Sequence, residues 1–266
     1  MKGEPTMLST VILDAYTKEE TDEMCKAIND LCSPNDNWGW SSSGIYCYWD
    51  YYTKEILYIG LASDLTTRFK QHNGIMNAND SSSKWKYIKK YFDKKEKIGI
   101  TIILQSPLNQ PVVSRNKGLK FSRIFETDVK NNNYAGYEGK ESIKLLEGQL
   151  IKVYELKHGR LPKWNIINGS IQGQSTVNII SYEIFDSINH LNPYLTAKST
   201  IRELEKNPKY CYFESWLHGV RYLYLKTGLG YNQLLIDIGS QTYKITKVDI
   251  YKNILQSGYL NKKLKI

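Results

Sequence analysis

Residues 44–72 read GIYCYWDYYTKEILYIGLASDLTTRFKQH. Gly44–Trp49 and Ile56–Ile59 are β-branched and aromatic runs on either side of the turn-forming Asp50–Glu55, a pattern that predicts a β-hairpin. Asp64–His72 then reads as a helix. Tyr46 and Tyr58 fall on the paired strands where cross-strand neighbours bring two phenols to one face. Gly60 is expected to let the chain turn out of the second strand. Arg68 and His72 are four apart and share one face of the helix that follows.

Working outward, Thr17 is expected to cap a helix over Lys18–Leu31, with Glu20 completing a capping box. Ser33–Ser43 reads as a loop. A second helix is expected over Ser83–Lys95, where Trp85, Ile88 and Phe92 form the apolar stripe. Ile98–Leu104 is a buried-strand pattern closed by Pro107. Residues 108–139 read as a long basic insertion with one short strand at Lys120–Glu126. Helical spacing returns over Glu141–Lys157, where Ile143, Leu146, Leu150 and Val153 fall on one face. The polar stretch Asn168–Ser175 is the best domain boundary. Beyond it, Val177–Ile188, Ser199–Lys206 and Tyr210–Lys226 carry helical spacing. The expected fold class is α+β: a small three-stranded mixed or antiparallel sheet flanked by helices, with a mainly helical C-terminal region. The expected units are a helical extension (1–39), a catalytic domain (40–170) and a helical region (171–266) for DNA binding, for dimerisation or for packing that enlarges the catalytic domain.

Charge is placed unevenly along the chain. The total of +9 divides into −5 over residues 1–39, +9 over 40–170 and +5 over 171–266. A basic middle suits a polyanionic partner, most simply nucleic acid. Apolar runs such as Ile100–Leu104 are far short of the ~18 residues a membrane helix needs. The first residues lack a secretory pattern. The expectation is an intracellular, cytoplasmic protein with no membrane association. Four cysteines without CxxC spacing read as reduced thiols rather than a disulfide framework or zinc site.

The two tripeptides Gly44-Ile45-Tyr46 and Tyr58-Ile59-Gly60, Arg68, His72, the helix bearing Glu147 and the later Asn165 form an ordered set. It resembles the signature of the GIY-YIG nuclease family, over roughly residues 42–168. The resemblance implies hydrolysis of a phosphodiester in double-stranded DNA with Mg²⁺ or Mn²⁺. Carried over by position, Tyr46 becomes a general base or water-orienting phenol. Tyr58 supports the nucleophile and phosphate, and Arg68 stabilises phosphate charge. His72 assists by hydrogen bonding or proton transfer, Glu147 binds the metal, and Asn165 braces the site, with Asn168 as its competitor. Lys54, Arg68 and His72 are the candidate cations for activating a phenol. Each residue taken singly has a plainer role as core, helix face or turn.

Physical chemistry agrees with that set. A phosphodiester gathers negative charge as it is attacked, and a guanidinium fork or a metal aimed at its oxygens answers it. Lys84, Lys86, Lys89 and Lys90, together with Arg115, Lys117, Lys120 and Arg123 of the insertion, are expected to touch DNA phosphates. A restriction-type enzyme, of a kind that often acts as a homodimer, is the leading role. The alternatives are an intron-associated homing enzyme, a repair nuclease and a catalytically inert nucleic-acid-binding module.

Overall fold

The computed structural model describes residues 8–35, 39–77, 83–117 and 135–266. It is an α+β protein built on a four-stranded antiparallel sheet. The strands are β1 (Leu8–Thr17), β2 (Gly44–Asp50), β3 (Ile56–Ala62) and β4 (Lys97–Gln105), in the spatial order β1-β4-β2-β3. The expected hairpin is present, with Tyr46 opposite Gly60 and Tyr48 opposite Tyr58.

One strand more is present than the three expected. The segment 1–39 was expected as a helical extension, yet its residues 8–17 pair with β4 along their whole length, from Leu8 opposite Gln105 to Thr17 opposite Lys97. This strand lacks the alternation of a half-buried strand because it is buried on both faces. The helix α1 (Thr21–Leu31) therefore starts later than Lys18. Glu20 does accept the Thr17 N–H at 2.9 Å, but Thr17 is still the last residue of β1.

Helices α2 (Leu65–His72) and α3 (Trp85–Phe92) join α1 on one face of the sheet. There Ile28, Leu65, Phe69 and Ile88 pack with Tyr46, Tyr48, Ile100 and Ile102. The long helix α4 (Ala135–His158) covers the other face, packing Ile143, Leu146, Leu150 and Val153 against Ile45, Cys47, Ile59 and Ile103.

The stretch expected to be a domain boundary is instead close-packed. It forms the short helix α5 (Ile171–Ser175), capped by Ser170. A Cβ added at Gly148 of α4 would lie 2.4 Å from the Ser170 carbonyl oxygen and 3.1 Å from the Gly173 Cα. Only the absence of side chains at both glycines permits that approach. The helices α6 (Ile179–Asp186), α7 (Ile201–Lys206), α8 (Pro208–Thr227), α9 (Tyr231–Thr246) and α10 (Ile250–Gln256) follow. Ile184 and Phe185 of α6 lie in the same apolar cluster as α4, so residues after 170 share the core of those before.

Both edges of the sheet are covered, which removes exposed strands as templates for aggregation. Along β1, the Val11 N–H donates to the Leu195 carbonyl at 3.1 Å, and the Ala197 N–H donates to the Val11 carbonyl at 2.9 Å. A buried polar network locks α8 against this edge. His218 Nδ1 lies 2.9 Å from Thr10 Oγ1, and Arg221 pairs with Glu214 at 2.6 Å with both side chains buried. The four cysteines are free, three of them buried. Among the described residues no helix is long and apolar enough to cross a membrane. The expected strand at residues 120–126 lies outside the described residues, as do Lys120 and Arg123.

Candidate active site

Strand geometry brings the two phenols together. Tyr46 and Tyr58 are diagonal neighbours across the β2–β3 pair, and their side chains rise from the same face. Their hydroxyl oxygens are 3.5 Å apart and their ring centroids 5.6 Å apart. Gly60 sits inside β3 rather than at its end, so it does not serve as the turn expected of it. Its role is space. A Cβ there would come within 2.8 Å of both hydroxyl oxygens and 2.6 Å of a Tyr58 ring carbon.

Asp64 caps α2 by accepting the Thr67 N–H at 3.0 Å. This fixes the helix whose inner face carries Arg68 and His72. Arg115 holds the same cap in place, forking onto both Asp64 oxygens at 2.6 and 2.7 Å and reaching Asn29 at 2.6 Å. Expected as a DNA contact, Arg115 is committed instead to tying its loop to α1 and α2.

His72 is defined by its two partners. Its Nδ1 accepts the Lys84 backbone N–H at 2.8 Å, so the ring proton sits on Nε2, which lies 2.7 Å from the Tyr46 hydroxyl oxygen. Burial, and then the cations Arg68 and Lys84, drive its pKa down to about 3. His72 is therefore neutral near pH 7 and donates a hydrogen bond to the phenol.

Burial, with Tyr58 alongside, holds the Tyr46 hydroxyl well above the ordinary tyrosine range, while Arg68 pulls it back. Tyr58 is also raised, chiefly by burial and further by Glu147. Of the cations considered for activating the phenol, Lys54 lies elsewhere, stacked 4.6 Å from the Trp49 ring. Arg68 is the one whose charge is felt. Its side chain is half-buried, and among the described residues no hydrogen bond or ion pair engages it. Lys84 adds a second positive charge. It is buried, with Nζ 4.9 Å from the Tyr58 ring, and burial and Arg68 lower its pKa.

Glu147 and Asn165 approach the cluster round the outer edge of β3. That edge carries backbone groups that must be satisfied. Trp164 N–H donates to the Leu57 carbonyl at 2.9 Å. Asn165 accepts the Ile59 N–H at 3.0 Å and donates to the Ile59 carbonyl at 2.8 Å. Glu147, next along the edge, has the Leu61 N–H near enough to lower its carboxyl pKa. Asn165 is thus a brace for the strand bearing Tyr58, whereas Asn168 is exposed. Glu147 rises from the helix layer opposite the phenols, yet it is near enough to Tyr58 to raise that hydroxyl's pKa.

Burial lifts the Glu147 carboxyl to about 7, opposed only by the Leu61 N–H. A carboxylate with no cationic partner is a fitting ligand for a divalent cation, since the cation would restore its charge. Among the described residues no three His, Cys, Asp or Glu side chains converge. A Mg²⁺ or Mn²⁺ ion would be held by Glu147 with substrate oxygens and waters, an arrangement that suits magnesium.

Of the remaining lysines, Lys89, Lys90 and Lys117 are exposed, and Lys86 is exposed on the same helix α3. Sequence reasoning missed the backbone N–H of Lys84 as the group that sets the His72 tautomer. No side-chain signal marks it, because any residue but proline offers the same donor.

No family model matches the chain, and no curated protein or solved structure matches it significantly.

Proposed function

We propose that this protein is a metal-dependent endonuclease hydrolysing phosphodiester bonds of double-stranded DNA. The observation that carries the reading is Arg68, a half-buried guanidinium with no partner among the described residues, beside a pair of phenols. A cation withdrawn from water without a counter-ion is costly. A phosphate supplies the missing charge in the planar, two-oxygen form that a guanidinium fork matches.

In this reading Arg68 binds the non-bridging oxygens of the scissile phosphate, and Lys84 adds charge from the Tyr58 side. Tyr46 receives the His72 Nε2–H on its oxygen and points its own O–H toward Tyr58 at 3.5 Å, so its remaining lone pair and the Tyr58 O–H are the groups that orient an attacking water. Its raised pKa argues for orientation and against a resting phenolate base. Asn165 positions Tyr58 through the β3 backbone. When bound at Glu147, the divalent cation neutralises charge on the phosphate and activates water as a Lewis acid. The finer proposal is a sequence-specific restriction-type enzyme. What favours it over a homing enzyme is that the helices after residue 170 pack on the catalytic sheet rather than trailing from it.

Supercoiled plasmid incubated with the protein and magnesium tests the reading. Nicked or linear product is expected from the wild type and not from Arg68→Ala or Glu147→Ala. Intact plasmid with DNA binding retained would reduce the protein to a nucleic-acid-binding module.

A further inference from the structure

A second feature lies beside the phenol pair. The hairpin turn, the outer side of α3 and Trp164 enclose a cleft of about 450 Å³. Its floor is aromatic. Trp164 and Tyr87 lie with ring centroids 5.8 Å apart and planes at 30°, and Tyr91 meets Trp164 edge-on at 6.2 Å. Trp164 is buried beneath, whereas Tyr87 is 41% exposed and forms the accessible surface.

The rim is cationic. Lys90, Lys94 and Lys163 line it, are exposed, and among the described residues have no ion-pair partner. The two acids in the lining are already neutralised. Asp50 pairs with Lys95 and also accepts the Tyr52 and Thr53 N–H groups at 3.0 Å. Glu55 pairs with Arg160 at 2.8 Å. The cleft therefore offers a π face and unneutralised positive charge together. Those are the two things that one nucleotide, with a flat base and an anionic phosphate, recognises. Its volume falls in the range of small-molecule sites.

Its position is informative. The Lys84 ammonium lies 4.9 Å from the Tyr58 ring and 5.8 Å from the Tyr87 ring. One side chain thus separates the cleft from the candidate active site.

We propose that the cleft holds a single unstacked nucleotide of the bound DNA strand next to the scissile phosphate, its base against Tyr87, which Trp164 backs, and its phosphate among Lys90, Lys94 and Lys163. The inference rests on the nuclease reading for the nature of the strand. A base inside an intact duplex cannot reach such a floor, and extruding it costs free energy that an unpaired base has already given up. The protein should therefore prefer a duplex carrying a single-nucleotide bulge over the same duplex fully paired. Base–aromatic stacking sets the size of that preference at roughly five- to hundred-fold.

The test is fluorescence anisotropy with the full chain carrying Glu147→Gln, so that cleavage does not consume the probe. Labelled bulged and fully paired duplexes of one sequence serve as ligands. Tighter binding of the bulged duplex is expected, abolished by adding Tyr87→Ala and kept by Tyr87→Trp. Because Tyr87→Ala uncovers Trp164 while Tyr87→Trp keeps a ring over it, thermal melts of both variants establish that each is folded before its binding is compared. Equal affinity for the two duplexes, or a preference that survives Tyr87→Ala, overturns the proposal. Plasmid cleavage by the wild type is scored separately. A bulge preference in a protein that does not cut keeps the cleft and removes the nuclease, and cutting without the preference does the reverse.

Discussion

Glu147→Gln should make the protein more stable at neutral and alkaline pH. The Glu147 carboxyl titrates near 7 in the folded protein against an ordinary 4.5. Below pH 4.5 both folded and unfolded chains hold the proton, and the residue contributes nothing to pH dependence. Between those values the folded chain keeps a proton that the unfolded chain has released, so stability falls as pH rises, by ~1.36 kcal/mol per pH unit. Above pH 7 the loss levels off at roughly 3 kcal/mol. Glutamine imitates the protonated acid in shape and can still accept the Leu61 N–H, but it never ionises. The variant's advantage should therefore be near zero at pH 4, grow through pH 4.5–7 and plateau beyond. For a chain of this size the plateau corresponds to about 6–12 °C in Tm. Magnesium should narrow the gap by stabilising only the wild type, by ~1.4 kcal/mol at a tenfold excess over its Kd. Thermal melts of both proteins across pH 4–8.5, with and without magnesium, measure this directly. Profiles that run parallel would refute the account of Glu147 as a carboxylate held out of water without a partner.

Gly60→Ala should cut DNA cleavage, because the intruding methyl would come within 2.6–2.8 Å of both phenols and force them apart; a fully active variant would deny that the phenols must sit where they do. Arg68→Lys should lower cleavage by about 10²-fold or more, since a point charge cannot replace a fork on two phosphate oxygens; plasmid assays under single-turnover conditions read this. His72 and His218 are both pushed down to about 3 by burial first and neighbouring cations second. Nitrogen NMR should show both neutral at pH 5, with His72 as the Nε2–H tautomer, and titration of either near 6.5 would count against the buried geometry. The same depression means their contribution to stability is complete above pH 6.5 and is lost as pH falls toward 3. Glu214→Ala should cost about 3–5 kcal/mol, because it strands the buried Arg221 guanidinium without its counter-ion; urea unfolding measures it, and a loss below ~1 kcal/mol would mean that water reaches the pair.

Much of the site was legible because it is local. The β2–β3 hairpin sets Tyr46 and Tyr58 diagonal to each other by its own register, and helical spacing alone puts Arg68 and His72 on one face. The helix bearing Glu147 was equally readable from the spacing of Ile143, Leu146, Leu150 and Val153. What that spacing could not reveal is that the carboxyl would lie beside the Leu61 N–H at the far edge of the sheet. Arg115 shows the same limit. A basic residue in a basic stretch looks like a phosphate contact until the fold sets Asp64 and Asn29 against it.

Periodicity and residue type were enough for the class of fold, the hairpin with its phenol pair, most helices and the shared face of Arg68 and His72, since these depend on neighbours within a few turns of chain. The strand β1 was beyond their reach. Its Asp14, Ser9 and Thr10 look like polar interruptions, and they become compatible with a buried strand only because Arg202 and His218, some two hundred residues away, satisfy them. The sheet edges were decided in the same way. Leu195–Ala197 closes one, and Trp164, Asn165 and Glu147 close the other. A backbone hydrogen bond carries no side-chain identity, so which segment satisfies an open edge is settled only when the whole chain has packed.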